Sequence, residues 1–251
     1  MILAIDAGNS RTKWAVFGWG GEKLDSGVWA NDTLEGDTPS SWLSCHRIII
    51  SNVAGLTVSR ILQEKVKEMA SAVHWLRASP AAAAVINQYE NPEMLGTDRW
   101  AAVVGAWHLH KTACLVVNAG TALTVDALIA DAAGARGFFL GGSITPGLQL
   151  MKKSLQQETH GVKQLDGTMQ PFPGNTGDAV HSGSLYALAG VVQAMAGNLE
   201  QRVGEPARIV LAGGDAELLR QALSWFNMHN QMEIVDDLVL KGLFHIEREC
   251  L

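Results

Sequence analysis

The chain has almost none of the features that mark several large protein classes. Its three cysteines, Cys45, Cys114 and Cys250, are scattered and odd in number, with no CxxC spacing. A disulfide scaffold is therefore excluded, a reducing compartment fits, and Cys114 reads as a small core residue before an apolar strand. No window holds about 18 uninterrupted apolar residues, so no membrane-spanning helix is expected. The first residues lack a basic region and place Asp6 where a signal peptide would be apolar, so the expected location is cytoplasmic. Positive charge is not in excess: the net charge of −6 excludes a general nucleic-acid-binding surface. GxxxxGK[ST] does not occur, which rules out a P-loop enzyme. Charged residues make up only 18% of the chain against 47% hydrophobic, the balance of a globular protein with a full core.

What the chain does have is a pair of similar turns. Ile2 to Ile5 is an apolar run, Asp6-Ala7-Gly8-Asn9-Ser10 follows, and Thr12 to Phe17 turns extended again. This reads as strand, tight turn, strand, with Gly8 and Asn9 as residues that tolerate the positive φ of such a turn. The design returns at Leu115–Val117, Asn118-Ala119-Gly120-Thr121-Ala122 and Leu123–Asp126, with Asn118 in the place of Asp6. One such turn is an ordinary hairpin. Two in matching positions suggest similarly built domains, and 251 residues accommodate two: 1–113 and 114–251.

Between these turns, Lys23–Trp29 reads as a third antiparallel strand, Asn31–Ser44 as a loop and Arg47–Ser51 as a buried strand. Helical spacing runs from Gly55 to Ala70, and Val73–Leu76 returns to the sheet. Three antiparallel strands followed by alternating helix and strand is the pattern of a ribonuclease-H-like domain. Ser79–Ala84 reads as a connector rather than a packed segment, and Leu95-Gly96-Thr97-Asp98-Arg99-Trp100 opens an apolar helix. In the second half, Gly141–Gly147 is expected to be a sharp turn into a helix, and Asn175-Thr176 to open the longest helix, whose Ala- and Val-rich face is core or a subunit interface. Arg208–Ala212 is a strand ending in Gly213-Gly214, and a helix from Asp237 is expected to close the second domain.

Small turn residues leave backbone N–H groups accessible to phosphate oxygens, with the Ser10 and Thr121 hydroxyls as further donors. Asp6, at the end of the first strand, could hold Mg²⁺ directly or through water. Lys13 points either at the phosphates or at solvent. Thr97 or Asp98 lies at a helix start, where a carboxylate can serve as a cap, as a catalytic group, or as both. Arg99 is either a surface ion pair or a two-pronged grip on a substrate carboxylate. A molecule with a carboxylate at one end and a primary hydroxyl at the other suits Asp98 and Arg99.

The ordered motifs DAGNS, LGTDRW, NAGTALTVD, GGSITPG and NTGDAVHSG span nearly the whole chain and resemble those of the type III pantothenate kinases, within the actin-like and sugar-kinase-like ATPase superfamily. The resemblance implies an α/β fold of two ribonuclease-H-like domains around a central cleft. It implies Asp98 as the proton acceptor, with Tyr89, Gly96, Thr97 and Arg99 lining the pantothenate site. Asp6, Ala7, Gly8, Asn9, Ser10, Arg11, Thr12 and Lys13 would contact ATP with its Mg²⁺, and Thr121 would do so from the other hairpin. Thr176 would reach pantothenate from the neighbouring subunit of a homodimer joined through the C-terminal domain. The family usually carries Asp where this chain has Asn118, associated with a monovalent cation. Asn keeps a carbonyl ligand but loses the charge, which weakens the case for K⁺ or NH₄⁺ here. Three functions follow: an ATP-dependent pantothenate kinase of coenzyme A biosynthesis, another enzyme of the superfamily, or a regulatory relative without turnover. Asn118 is the only feature that favours the third.

Overall fold

The computed structural model describes residues 1–67, 69, 72–163, 166–226, 228 and 231–250. In chain order, β1 (Ile2–Ala7), β2 (Arg11–Phe17), β3 (Lys23–Ala30) and β4 (Arg47–Asn52) precede α1 (Leu56–Val66) and β5 (Ala72–Trp75). Ala70, the expected end of the first helix, lies outside the described residues. A hairpin of β6 (Ala81–Ala82) and β7 (Val85–Asn87) leads to α2 (Thr97–His110). Then come β8 (Cys114–Ala119), β9 (Ala122–Ala130), β10 (Gly137–Pro146), α3 (Leu148–Glu158), α4 (Thr176–Val203), β11 (Arg208–Ala212), α5 (Ala216–Trp225), β12 (Met232–Ile234) and α6 (Leu238–Glu249).

These elements form two compact units: Met1–Thr112 with Ala130–Leu140 and Asp237–Leu251, and Ala113–Ile129 with Gly141–Asp236. In the first, the sheet order is β3-β2-β1-β4-β5. β1 is antiparallel to β2 and parallel to β4, as is β4 to β5. In the second, the order β10-β9-β8-β11-β12 repeats the design, with β8 antiparallel to β9 and parallel to β11. The matching turns in the sequence thus head two sheets of one plan.

Strand alternation divides the first sheet into two faces. Leu3, Ile5, Ala7, Trp14, Val16, Ile48 and Ile50 pack with Val58, Leu62 and Val66 of α1 and with Trp42. The opposite face carries Ile2, Ala4 and Asp6 and receives α2 and α6. Every residue of α2 from Arg99 to Trp107 is buried, so its apolar character all round has a use.

Three expectations need correction. The helix after Asp237 belongs to the first unit rather than the second, because it crosses α2 at two facing glycines. A Cβ on Gly105 would come within 2.5 Å of the Leu238 carbonyl oxygen, and one on Gly242 would overlap that of Ala101. Next, Gly141-Gly142 is no turn: β10 runs through it to Pro146, with Gly141 absorbing the irregularity at φ 126°. Finally, Ser79–Ala84 is more than a connector, since Ala81–Ala82 is a short strand and Ala83 is buried. Ala83 and Ala84 form a two-residue hairpin loop with φ of 47° and 60°, the sign that loop demands. The Ala83 amide donates to the Glu249 carboxylate, and its carbonyl lies 3.0 Å from His108 Nε2.

Candidate active site

The first unit assembles its polar row through strand register. Asp6 faces Lys13 across the β1–β2 ladder and Ser51 across β1–β4, so all three side chains leave the sheet on one face. Lys13 thus stands beside Asp6, partly exposed. The row occupies the C-terminal end of β1 and β4, on the side where α2 begins, and the fully buried Ser51 hydroxyl is 2.9 Å from Thr97 Oγ1.

The turn between β1 and β2 is held differently from the sequence expectation. Neither Gly8 nor Asn9 has positive φ. Gly8 N donates to the Arg11 carbonyl at 3.0 Å, and Asn31 ties the loop from outside. Its Nδ2 donates to the carbonyls of Gly8 at 2.8 Å and Asn9 at 3.1 Å, its amide donates to that of Ser10 at 3.2 Å, and its Oδ1 accepts from the buried Thr12 hydroxyl at 2.9 Å. A side-chain clamp thus does the work expected of left-handed residues. Ala7 is buried in the α1-side core, whereas Asn9, Ser10 and Arg11 are exposed at the tip.

At the mouth of α2 the cap position is Gly96, not Thr97 or Asp98, and no side chain caps it. Asp98 Oδ1 accepts from the Arg99 amide at 2.8 Å. Asp6 Oδ1 is sealed from water without a hydrogen-bond partner, although the residue as a whole is partly exposed. Burial, reinforced by the negative charge of Asp98 and opposed by Lys13, pushes the Asp6 carboxyl up to about 7. A desolvated carboxylate with an orphaned oxygen and a second negative charge acting on it is a place suited to a hard divalent cation.

Arg99 turns elsewhere, as consecutive helical residues must. It is only 6% exposed, so it is no surface residue. Its Nη1 donates to the Tyr89 hydroxyl at 3.1 Å, and the guanidinium carbon lies 5.7 Å from that ring's centre. Tyr89 is braced by the Phe139 ring at 5.6 Å and by its own amide donating to Asn87 Oδ1 at 3.1 Å. One end of α2 therefore presents a carboxylate towards Asp6 and a buried cation towards Tyr89.

The remaining candidates belong to the second unit. Asn118 faces Thr124 on β9 and Ala212 on β11, so the cross-strand neighbour is a hydroxyl where the first hairpin has Lys13. Thr124 Oγ1 is buried with no hydrogen-bond partner. Gly213, at φ 99°, leaves room here, since a Cβ would come within 2.7 Å of Asn118 Oδ1. Thr121 is exposed at the turn, and its carbonyl accepts from Gly147 N at 2.9 Å. Thr176 is the exposed first residue of α4, whose cap is Asn175, accepting from the Asp178 amide at 2.9 Å. The sequence reading passed over Lys152, buried on α3, where burial pushes its ammonium down and Asp166 and Asp215 oppose that. It also passed over Ser51 and Asn31. A serine closing the apolar run Ile48-Ile49-Ile50 was a usable signal for Ser51. Asn31 acts across a loop and left no local sign.

Residues 2–198 match the model of the type III pantothenate kinases. The chain belongs to that family. A type III pantothenate kinase of Methylobacillus flagellatus is 42% identical over 248 residues, covering 98% of each chain. One from Nitrosospira multiformis is 40% identical over 255 residues, covering 99% of this chain and 92% of that protein. Among solved structures, a protein named as a 2-dehydro-3-deoxygalactonokinase from Sinorhizobium meliloti superposes with a TM-score of 0.61 at 16% identity, covering 100% of this chain and 99% of that one. A protein named as a Baf family transcriptional activator from Campylobacter jejuni also gives 0.61, at 21% identity, covering 99% and 98%. At such identities the likeness concerns the fold, which is the two-domain actin-like ATPase fold. Among the described residues no helix is long and apolar enough to cross a membrane.

Proposed function

We propose that this chain transfers the γ-phosphoryl group of ATP to the primary hydroxyl of pantothenate, giving 4′-phosphopantothenate and ADP in the first step of coenzyme A biosynthesis. The observation that carries the reading is the paired placement of Asp6 and Asp98, with Lys13 on one side and the buried Arg99–Tyr89 contact on the other. Phosphoryl transfer asks mainly for positioning and charge neutralisation. Asp6 would hold Mg²⁺, which supplies charge neutralisation at the β- and γ-phosphates, and Lys13 adds a cation on the same face. Residues 8–11 bring the turn backbone and the Ser10 hydroxyl to the nucleotide's side, while Ala7 and Thr12, buried on the α1 side, hold that turn in place. Gly96 and Thr97 set the start of α2, so that Asp98 receives the acceptor hydroxyl while Arg99 and Tyr89 bind the carboxylate end. The hydroxyl oxygen bonds to the γ-phosphorus as the bond to the β,γ-bridging oxygen breaks. The hydroxyl proton passes to Asp98 late, since an alcohol is far weaker an acid than a carboxylic acid.

ATP consumption measured with and without pantothenate, with product identified by mass, tests this. Pantothenate-dependent turnover is expected. Turnover only with other acceptors would indicate a different kinase, and no turnover with Mg²⁺ and K⁺ or NH₄⁺ would indicate the regulatory relative. Asp98→Asn is expected to abolish turnover while ATP binding persists; equal loss of both would make Asp98 structural.

The proposal extends to a cytoplasmic homodimer in which Thr176, at the head of α4, serves the partner's site. Mixing inactive Asp98→Asn and Thr176→Ala chains should then restore activity, whereas no recovery despite subunit exchange would remove the sharing. Asn118 offers a neutral carbonyl only, so stimulation by K⁺ or NH₄⁺ should be weak and should rise in Asn118→Asp.

A further inference from the structure

On the edge of the first sheet, away from the polar row, Glu247 is 0% exposed. It lies on the last turns of α6. Its Oε1 meets Arg47 Nε of β4 at 2.5 Å, and its Oε2 lies 2.8 Å from His74 Nδ1 of β5. His74 is paired with Ile49, two residues beyond Arg47, so both project towards α6. Cys250 follows Glu247 by three positions, which puts its sulfur on the same side of the helix. One ligand atom from each of His74, Glu247 and Cys250 can be chosen so that all lie within 4.8 Å of one another, the one such trio among the described residues.

From this geometry we infer a zinc-class metal site formed by His74 Nδ1, Glu247 Oε2 and Cys250 Sγ. Imidazole, carboxylate and thiolate are ligands that Zn²⁺ takes at about 2.0–2.3 Å, so ligand atoms in a tetrahedral site lie roughly 3.3–3.8 Å apart. Drawing in the exposed Cys250 and widening the His74–Glu247 gap slightly reaches that spacing. Arg47 binds the other carboxylate oxygen and orients the ligand, a partner that metal-bound carboxylates commonly have. The fourth position would be water, because His74 and Cys250 both reach solvent. On binding, the Cys250 thiol proton passes to solvent as the sulfur–metal bond forms. The ion would fasten the end of α6 to the β4–β5 edge.

Co²⁺ titrated into the full, chelator-treated chain tests the site. A near-ultraviolet thiolate-to-cobalt band should saturate at one equivalent and be removed by Zn²⁺. It should be absent in Cys250→Ser and at least about 10-fold harder to reach in His74→Asn. Zn²⁺ should raise the melting temperature of the wild type and leave that of Cys250→Ser unchanged. Both variants alter exposed or half-exposed side chains, so circular dichroism can verify folding while Glu247 stays intact. Absence of the band in the folded wild type, or its survival in Cys250→Ser, overturns the inference and leaves Arg47, Glu247 and His74 as a self-contained ion network. Any Mg²⁺ at Asp6 gives no thiolate band, so the two sites are read separately.

Discussion

Asp6→Asn offers the sharpest test of the site's electrostatics, because the structure fixes the sign of the effect. The folded chain holds the Asp6 carboxyl at about 7 against an ordinary value of 3.8, chiefly through burial. A group whose folded value lies above its unfolded one binds more protons when folded, so its contribution favours folding below about 4 and is lost as pH rises to about 7. Three pH units at about 1.36 kcal/mol each set a ceiling of roughly 4 kcal/mol. Partial solvent access at the strand end and relaxation reduce this to about 1–3 kcal/mol. Asparagine has nearly the same shape and no charge, so above pH 7 the variant should be more stable than the wild type by that amount. The gain corresponds to roughly 2–12 °C in melting temperature for a chain of this size, and should shrink towards zero near pH 4. Mg²⁺ with ATP should narrow the gap by stabilising the wild type, since a cation relieves the same buried charge. Thermal melts of both proteins at steps from pH 4 to 8, with and without Mg²⁺ and ATP, measure all of this. A variant less stable at pH 8, or a difference that does not change with pH, would refute the account of Asp6 as a desolvated carboxylate awaiting a cation.

Three further substitutions probe separate parts of the argument. Arg99→Lys keeps the charge but loses the planar contact with Tyr89 and the fixed fork of donors, so KM for pantothenate should rise about 10-fold or more with KM for ATP little changed. Lost stability with an unchanged KM would make Arg99 a packing residue. Gly242→Ala places a methyl on the Ala101 carbonyl oxygen, where backbone cannot yield cheaply, and should cost about 3 kcal/mol or more by denaturant unfolding. A cost under 1 kcal/mol would mean that α2 and α6 are not in contact there. Ala84→Gly, at an exposed residue with φ 60°, should stabilise by about 0.5–1 kcal/mol in the same assay, and destabilisation would contradict the left-handed turn.

Much of the site could be read in the sequence because its elements are local. Apolar runs broken by Asp6-Ala7-Gly8-Asn9-Ser10 and by Asn118-Ala119-Gly120 mark hairpins within a few residues, and Gly96-Thr97-Asp98-Arg99 marks a helix start in the same way. Other features were illegible for the same reason. No local pattern distinguishes a glycine pair that continues a strand, as Gly141-Gly142 does, from one that breaks it. Ala83-Ala84 lacks the glycine or asparagine that would announce its turn, because distant groups on α2 and α6 hold it. That Lys13 shares a face with Asp6 became visible only in the strand register.

The amino-acid sequence alone determined the family, the order of strands and helices, and the chemical types at each turn, since these depend on short-range patterning and turn chemistry. Tertiary structure alone decided that α6 returns to the first unit, that Ser51 and Asn31 brace the start of α2 and the first turn, and that Asp6 is desolvated with the charge of Asp98 acting on it. Each of those facts depends on chain segments brought together from afar, and burial and charge proximity have no counterpart along a linear chain.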